Sequence, residues 1–131
     1  MVRAAKVKLV LTCFLLSLGL VFSSLTPART PAPESGIATV ALSELPPTAR
    51  ETYRLIEKGG PFPYEKDGTV FGNRERLLPA EKRGYYKEYT VAAPGARNRG
   101  VQRIVCGGVS RQPEVCYYTV DHYASFRRIA P

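Results

Sequence analysis

The sequence predicts an α+β domain in which one N-terminal helix packs on an antiparallel β-sheet. Two observations support this fold class. Residues 47–58 place apolar side chains at helical spacing, and five short strand-like segments separated by turn residues follow them. One helix ahead of a run of strands is typical of a helix placed on one face of an antiparallel sheet. The 131 residues, 44% of them hydrophobic, suffice for one such domain.

The helix and the strands each carry local signals. Pro46 and Pro47 suit a first helical turn, and Gly59 with Gly60 supplies a helix end. These signals predict a helix over residues 47–58. Turn residues then separate the strand candidates, which are 70–73, 85–91, 101–106, 116–120 and 125–129.

The first 28 residues indicate a secretory signal peptide. Three basic residues precede an uncharged apolar run, 9–22, which is shorter than the roughly 20 residues that span a bilayer. We place cleavage near Ala28, a disordered linker at 29–38 and the folded domain at 39–131. A secreted, extracellular protein without stable membrane association is expected, with an uncleaved anchor as the alternative.

Charge and composition narrow the function class. Loss of the signal peptide leaves 16 basic and 11 acidic side chains, a formal charge of +5. Such a domain favours polyanions, although charge bears on association and not on reaction type. The sequence has no nucleotide-binding glycine motif, nucleophile elbow or metal-ligand cluster, so neither a cofactor nor a metal is expected. A domain of this size is usually a monomer.

Cys106 and Cys116 remain as an even pair once Cys13 leaves with the signal peptide. In an oxidising compartment such a pair forms a disulfide. Metal binding is disfavoured because two thiols and His122 do not provide four ligands at a familiar spacing. The two cysteines flank a segment between predicted strands, so the bridge is expected to staple a hairpin.

Glu88 is unexpected in the centre of the aromatic strand candidate 85–91. If the strand that carries Arg103 is its neighbour, a carboxylate and a guanidinium can meet across the sheet. From spacing alone a structural ion pair is the more common explanation, with His122 as a surface residue. The alternative is an active site with a general base, an anion-binding arginine and a histidine acid.

Four segments together resemble a known family. They are "LSELPPTARETYRLI" (42–56), "GGPFPYEKDGTVFGNRERLLP" (59–79), "GYYKEYTVAAPGARNRGVQRIVCG" (84–107) and "YYTVDHYASF" (117–126). Their order and spacing are similar to those of the secreted guanyl-specific ribonucleases of bacteria, especially the small Streptomyces enzymes, and more distantly to barnase and its fungal counterparts. The resemblance implies the microbial ribonuclease fold and covers nearly all of the expected domain.

The resemblance also implies roles for individual residues. Glu88 matches the base that takes a proton from the ribose 2′-hydroxyl, and His122 matches the acid that protonates the departing 5′-oxygen. Arg103 matches a residue that holds the phosphate and stabilises the transition state, and Arg99, close to it in the sequence, would act with it. The implied reaction is metal-free cleavage of single-stranded RNA 3′ to guanosine, through a 2′,3′-cyclic phosphate to a 3′-phosphate.

Guanine recognition is implied for one short loop and one aromatic residue. Backbone amides of Gly72, Asn73 and Arg74 would meet guanine O6 and N7, and the Glu75 carboxylate would accept from N1 and N2. Phe71 and Tyr123 are candidates for stacking near the base. For Phe71 a purely core role is an equal alternative.

Two alternatives stay open. A non-catalytic, secreted basic RNA-binding protein would keep the fold without turnover, and a toxic effector would use the same chemistry. By analogy with the family, a small acidic barstar-like inhibitor is an expected partner. The sequence also departs from close relatives at Ala41, which stands where they have a cysteine, and at Gly72, where a larger polar residue is common.

Overall fold

A computed structural model describes residues 36–131, which form one helix and one six-stranded sheet. The predicted signal peptide and most of the predicted linker lie outside the described residues. Among residues 36–131, no helix has the length and apolar character of a membrane span. The elements are a 3-10 turn at Leu42–Glu44, the helix α1 at Pro47–Lys58, and strands β1 Ala38–Ala41, β2 Thr69–Val70, β3 Tyr86–Thr90, β4 Arg103–Val109, β5 Gln112–Thr119 and β6 Arg127–Ala130.

The predicted helix is confirmed at both ends. Pro47 occupies its first turn, where a missing backbone N–H removes no helical hydrogen bond. Gly59 takes a left-handed conformation (φ 80°), and the N–H groups of Gly59 and Gly60 donate to carbonyls of the last turn. Glycine adopts this conformation at little cost, which explains the stop.

The sheet has the strand order β1-β6-β5-β4-β3-β2. All neighbouring pairs are antiparallel except β1 with β6, which is parallel. The predicted α+β class is therefore confirmed, with one strand added at an edge. Sequence analysis missed β1 because only Val40 of its four residues is buried, which is too little to produce an alternating pattern.

Strand bounds differ from the predictions where the backbone leaves the strand conformation. Of the first candidate, 70–73, only Val70 lies in a strand, the two-residue β2, because Asn73 adopts φ 48° and the chain turns into a loop. The third and fourth candidates instead form one longer hairpin, β4–β5, whose turn includes Arg111 at φ 71°. A bulge at Gly107–Gly108 lets this hairpin continue through a glycine pair that resembles a loop in sequence.

One face of the sheet packs on α1. The helix contributes Ala49, Tyr53 and Ile56 to a buried cluster with residues of β1 and β3–β6. Cys106 and Cys116 belong to this cluster and lie directly opposite each other, with Cα atoms 4.1 Å apart and a disulfide between them. The predicted disulfide is confirmed, and it lies across the sheet from the candidate site.

The other face carries an aromatic cluster. Tyr86, Val105 and Tyr117 are buried there with Leu78, and partly buried aromatic side chains surround them. Fully burying a side chain of this size stabilises the fold by about 1.5–3 kcal/mol. Because side chains alternate along a strand, Glu88 shares this face with Tyr86, and Lys87 lies on the helix face.

Candidate active site

Glu88 lies in the middle of β3, with its carboxylate on the face away from α1. The side chain is 15% exposed. Oε2 accepts a 2.7 Å hydrogen bond from the hydroxyl of Tyr123, and Oε1 lies 3.4 Å from Nη2 of Arg99. Donors at both oxygens fix the orientation of the carboxylate, which also lines an open cleft.

The ion-pair partner of Glu88 is Arg99. Its guanidinium also donates to Thr90 Oγ1, at 3.0 Å from Nε and 2.8 Å from Nη2. Within residues 36–131, no ion pair joins Glu88 to Arg103. The ion pair between Glu88 and Arg103 that strand spacing suggested is therefore wrong. In the sheet register, Arg103 lies opposite Thr90, and the residue opposite Glu88 is Val105.

Arg103 is almost fully buried, with 3% of its surface exposed. Its Nη1 donates to the carbonyls of Gln102, Gly100 and Arg99 at 2.8, 3.0 and 3.4 Å. Among the described residues its Nε has no acceptor. A buried guanidinium bound mainly by neutral carbonyls keeps its positive charge available to a nearby anion.

His122 lies in the turn between β5 and β6, and its side chain is exposed. His122 and Tyr123 both adopt left-handed backbone conformations, φ 53° and 71°. Such conformations cost non-glycine residues about 1–3 kcal/mol each and persist where surrounding contacts impose them. The His122 N–H donates to the carbonyl of Val101 at 3.2 Å, which ties the turn to the segment before β4.

Asp121 holds this turn together. Its carboxylate accepts hydrogen bonds from the hydroxyl and N–H of Ser125 and from the hydroxyl of Thr119. These bonds, those from Ser125 and Thr119 first, lower the pKa of Asp121 to about 2. The ionised carboxylate therefore organises the backbone that presents His122.

The Tyr123 hydroxyl connects the turn to the carboxylate. Burial, the hydrogen bond to Glu88 and the charge of Glu88 raise the pKa of Tyr123 to about 12, although Arg103 acts in the opposite direction. The phenol consequently stays protonated and donates throughout the neutral range. Its ring also packs on Phe71, with centroids 5.0 Å apart.

The loop after β2 is closed by Asn73. The side-chain amide of Asn73 donates to the carbonyl of Leu78 at 3.0 Å and accepts from the N–H of Leu78 at 3.2 Å. In the part of the chain that the structure describes, the backbone N–H groups of Gly72, Asn73 and Arg74 donate no hydrogen bond. Glu75, on the same loop, is exposed and makes no hydrogen bond or ion pair within that part.

These elements surround one cleft of about 730 Å³. Its lining includes Glu88 of β3, His122 and Tyr123 of the turn after β5, and the loop after β2 that contains Asn73 and Glu75, which we call the Asn73 loop. Leu77 and Phe126 add apolar surface. Phe71 is half-buried against the aromatic cluster and also lines the cleft. Its position therefore fits both roles considered for it, packing in the core and stacking near the base.

Most of the predicted site residues are therefore brought together, in two layers. Phe71, Gly72, Asn73, Arg74, Glu75, Glu88, His122 and Tyr123 line the cleft, whereas Arg99 and Arg103 lie beside it, against Glu88 and Tyr123. Sequence reasoning missed the Tyr123–Glu88 bond and the structural roles of Thr90 and Asp121. No local pattern signals the first, but Asp is common in turns because its side chain hydrogen-bonds nearby backbone groups. No group of three or more metal-binding side chains occurs among residues 36–131.

Comparison with known proteins places this chain beside microbial ribonucleases. A family model described as ribonuclease matches residues 28–130. Guanyl-specific ribonuclease Sa3 of Kitasatospora aureofaciens is 55% identical over 93 residues, which are 71% of this chain and 64% of Sa3. This chain thus spans slightly less than two thirds of Sa3. Guanyl-specific ribonuclease Sa of the same organism is 55% identical over 91 residues, 70% of this chain and 92% of Sa.

A solved structure of ribonuclease Sa2 with guanosine-2′-cyclophosphate has the same fold. It superposes with a TM-score of 0.67 at 46% identity and covers 73% of this chain and 98% of Sa2.

Proposed function

Because this chain belongs to the ribonuclease family, we propose that it is an endoribonuclease that cleaves single-stranded RNA on the 3′ side of guanosine. The observation that carries the proposal is one cleft that combines Glu88 and His122 with the Asn73 loop. Within residues 36–131, the amides of residues 72–74 and the carboxylate of Glu75 on this loop make no hydrogen bond. A ribonuclease of the same fold, Sa2, binds guanosine-2′-cyclophosphate. RNA supplies the 2′-hydroxyl that this chemistry requires, and DNA does not.

Cleavage begins with proton transfer to Glu88. Its carboxylate takes the proton of the ribose 2′-hydroxyl, and the 2′-oxygen forms a bond to phosphorus as the bond from phosphorus to the 5′-oxygen breaks. His122 gives its proton to that departing oxygen. The roles then reverse: His122 removes a proton from water, which opens the 2′,3′-cyclic phosphate to a 3′-phosphate. Each acid or base contributes ~10²–10⁴-fold to the rate.

Two arginines balance the negative charge. Arg99 lies against Glu88 and Arg103 is buried beside Tyr123, so both place positive charge next to the reacting phosphate. A preorganised cation of this kind stabilises the additional charge of the pentacovalent transition state without reorganising. Guanidinium groups also remain protonated during the proton transfers.

Base selection belongs to the Asn73 loop. The N–H groups of residues 72–74 donate no hydrogen bond to any residue that the structure describes, and they match the O6 and N7 acceptors of guanine. Glu75 matches the N1 and N2 donors. Adenine presents a donor where guanine has O6 and would leave these groups unsatisfied. An unsatisfied polar group costs about 1–3 kcal/mol, which is sufficient for a clear preference.

The proposed setting is extracellular. A disulfide in the folded domain fits an oxidising compartment, and the N-terminal signal that the sequence predicts would take the chain there. We expect a monomer whose net positive charge suits a small acidic inhibitor of the barstar type.

Digestion of GpU, ApU, CpU and UpU dinucleotides in the presence of EDTA tests the proposed reaction. Formation of guanosine 2′,3′-cyclic phosphate is followed by mass spectrometry. Cleavage of GpU alone, or at least tenfold faster than the others, is expected. Folded protein that binds RNA without cleaving GpU would instead identify a non-catalytic RNA-binding protein.

A further inference from the structure

A second cleft, of about 570 Å³, adjoins the proposed active site. We call it the flanking groove; residues 70–74 line both this groove and the active-site cleft, so the segment forms a wall between them. The remaining lining comes from Tyr86 and the turn 81–84 before β3. Neither Glu88 nor His122 lines the flanking groove, and the proposed reaction makes no use of it.

The flanking groove is positively charged. Arg74, Lys82 and Arg83 line it together with one carboxylate, that of Glu81, which gives a formal charge of +2. All three cations are exposed, and none of them takes part in an ion pair within residues 36–131. Exposed cations along a groove are a suitable arrangement for the phosphates of a single strand.

Hydrogen bonds hold the walls of the groove in place. On one side, the side-chain amide of Asn73 makes two hydrogen bonds to the backbone of Leu78. On the other side, the hydroxyl of Tyr86 donates to the carbonyl of Pro79 at 2.7 Å, and the N–H of Tyr85 donates to the carbonyl of Lys82 at 3.1 Å. The backbone that carries the cations is thus already organised, so binding of a strand requires little ordering.

The polarity of RNA decides which phosphate can reach this groove. In the proposed reaction the phosphate 3′ to guanosine lies between Glu88 and His122, and the downstream strand leaves past His122, which protonates its 5′-oxygen. The other phosphodiester leaves the guanosine ribose at its opposite end. With the base held against the Asn73 loop, the upstream strand passes this loop toward the flanking groove.

We propose that Arg74, Lys82 and Arg83 form a subsite for the phosphodiester on the 5′ side of the guanosine. This inference rests on the proposed function, which supplies the orientation of the strand. It predicts that RNA extended upstream of guanosine is bound more tightly than RNA extended downstream by the same number of nucleotides.

The test uses two uncleavable oligonucleotides with one 2′-deoxyguanosine, UUU(dG)U and (dG)UUUU. The second begins with a 5′-hydroxyl and so has no phosphodiester upstream of the guanosine. Affinity is measured by fluorescence anisotropy at several salt concentrations. The variant is Lys82→Gln/Arg83→Gln. The control, Arg54→Gln/Lys58→Gln, removes the same charge from α1 on the opposite face. We expect the groove variant to lose about 5- to 20-fold in affinity for UUU(dG)U and less than twofold for (dG)UUUU. The slope of log K against log [salt] should fall by about 0.7 for each phosphate that the variant no longer neutralises.

Three outcomes would overturn the subsite. Equal losses of affinity for the two oligonucleotides, or equal losses in the α1 control, would indicate a general effect of charge. Unchanged affinity in the groove variant would show that the groove does not bind RNA. Its partner would then be of another class, such as an acidic protein. Cleavage of GpU by the parent is assayed separately: its absence together with the expected binding difference would refute the proposed catalysis and not the subsite.

Discussion

The hydroxyl of Tyr123 donates a 2.7 Å hydrogen bond to Oε2 of Glu88, which joins the turn after β5 to the middle of β3. The bond spans 35 positions of the sequence. It places the residue next to His122 in direct contact with the proposed base. Acid and base are therefore positioned relative to each other by one side chain as well as by the sheet.

Tyr123→Phe should lower kcat/KM for GpU about tenfold. A hydrogen bond to a charged group is worth about 1.5–3 kcal/mol, and its loss frees one oxygen of Glu88 to rotate. Tyr85→Phe is the matched control, because the hydroxyl of Tyr85 donates to the carboxylate of Glu114 at 2.9 Å outside the active-site cleft. Equal rates for the parent and Tyr123→Phe would show that this bond does not position the base.

Glu88→Gln should reduce cyclisation of GpU by ~10²–10⁴-fold, because it keeps the shape of the side chain but removes the proton acceptor. Binding of uncleavable UUU(dG)U should change by less than about fivefold, which separates loss of chemistry from loss of folding. Glu114→Gln, at an exposed carboxylate on β5, serves as the control. A parent-like cyclisation rate in Glu88→Gln would remove this residue from the mechanism.

Glu75→Gln should reduce the preference for GpU over ApU by about tenfold or more. The amide presents a donor where the carboxylate accepts from guanine N1 and N2, and an unmatched group costs about 1–3 kcal/mol. The measurement is the ratio of kcat/KM for the two dinucleotides, with Glu81→Gln as a control on the neighbouring groove. If selectivity is the same in parent and variant, Glu75 does not read the base.

Asp121→Asn should change the acid stability of the domain. The pKa of Asp121 is about 2 in the folded protein against a usual 3.8, so its carboxylate stabilises the fold above pH 4, and this stabilisation is lost as the pH falls to about 2. The variant should unfold at lower urea than the parent at pH 7, and the difference should narrow toward pH 2. A pH-independent difference would contradict the assignment.

Replacement of the disulfide by Cys106→Ala/Cys116→Ala should cost about 2–3 kcal/mol of unfolding free energy, from the loop that it closes. Loss of buried volume adds to this, since both cysteines are 4% exposed in the cluster under α1. Urea unfolding measures the loss. The folded variant should retain cleavage of GpU, because the bridge lies on the opposite face from Glu88; a large loss of kcat/KM in folded protein would show coupling between the faces.

Local patterns in the sequence determined the helix, the disulfide and the candidate catalytic residues of the protein. The bounds of α1 follow from proline at its start and glycine at its end, which act within a few residues. The disulfide follows from an even pair of cysteines flanking a turn. Glu88 and His122 became candidates because a carboxylate interrupts an aromatic strand and the four segments resemble one family.

Tertiary structure alone decided how those residues meet. The parallel pairing of β1 with β6 joins the two ends of the described domain, and four residues with one buried side chain carry too little pattern to predict it. The partner of Glu88 is Arg99 and not Arg103, since the register places Arg103 opposite Thr90. Each of these contacts depends on strand register and on a turn held in left-handed conformations, which are set by packing across the whole sheet and not by neighbours in the sequence.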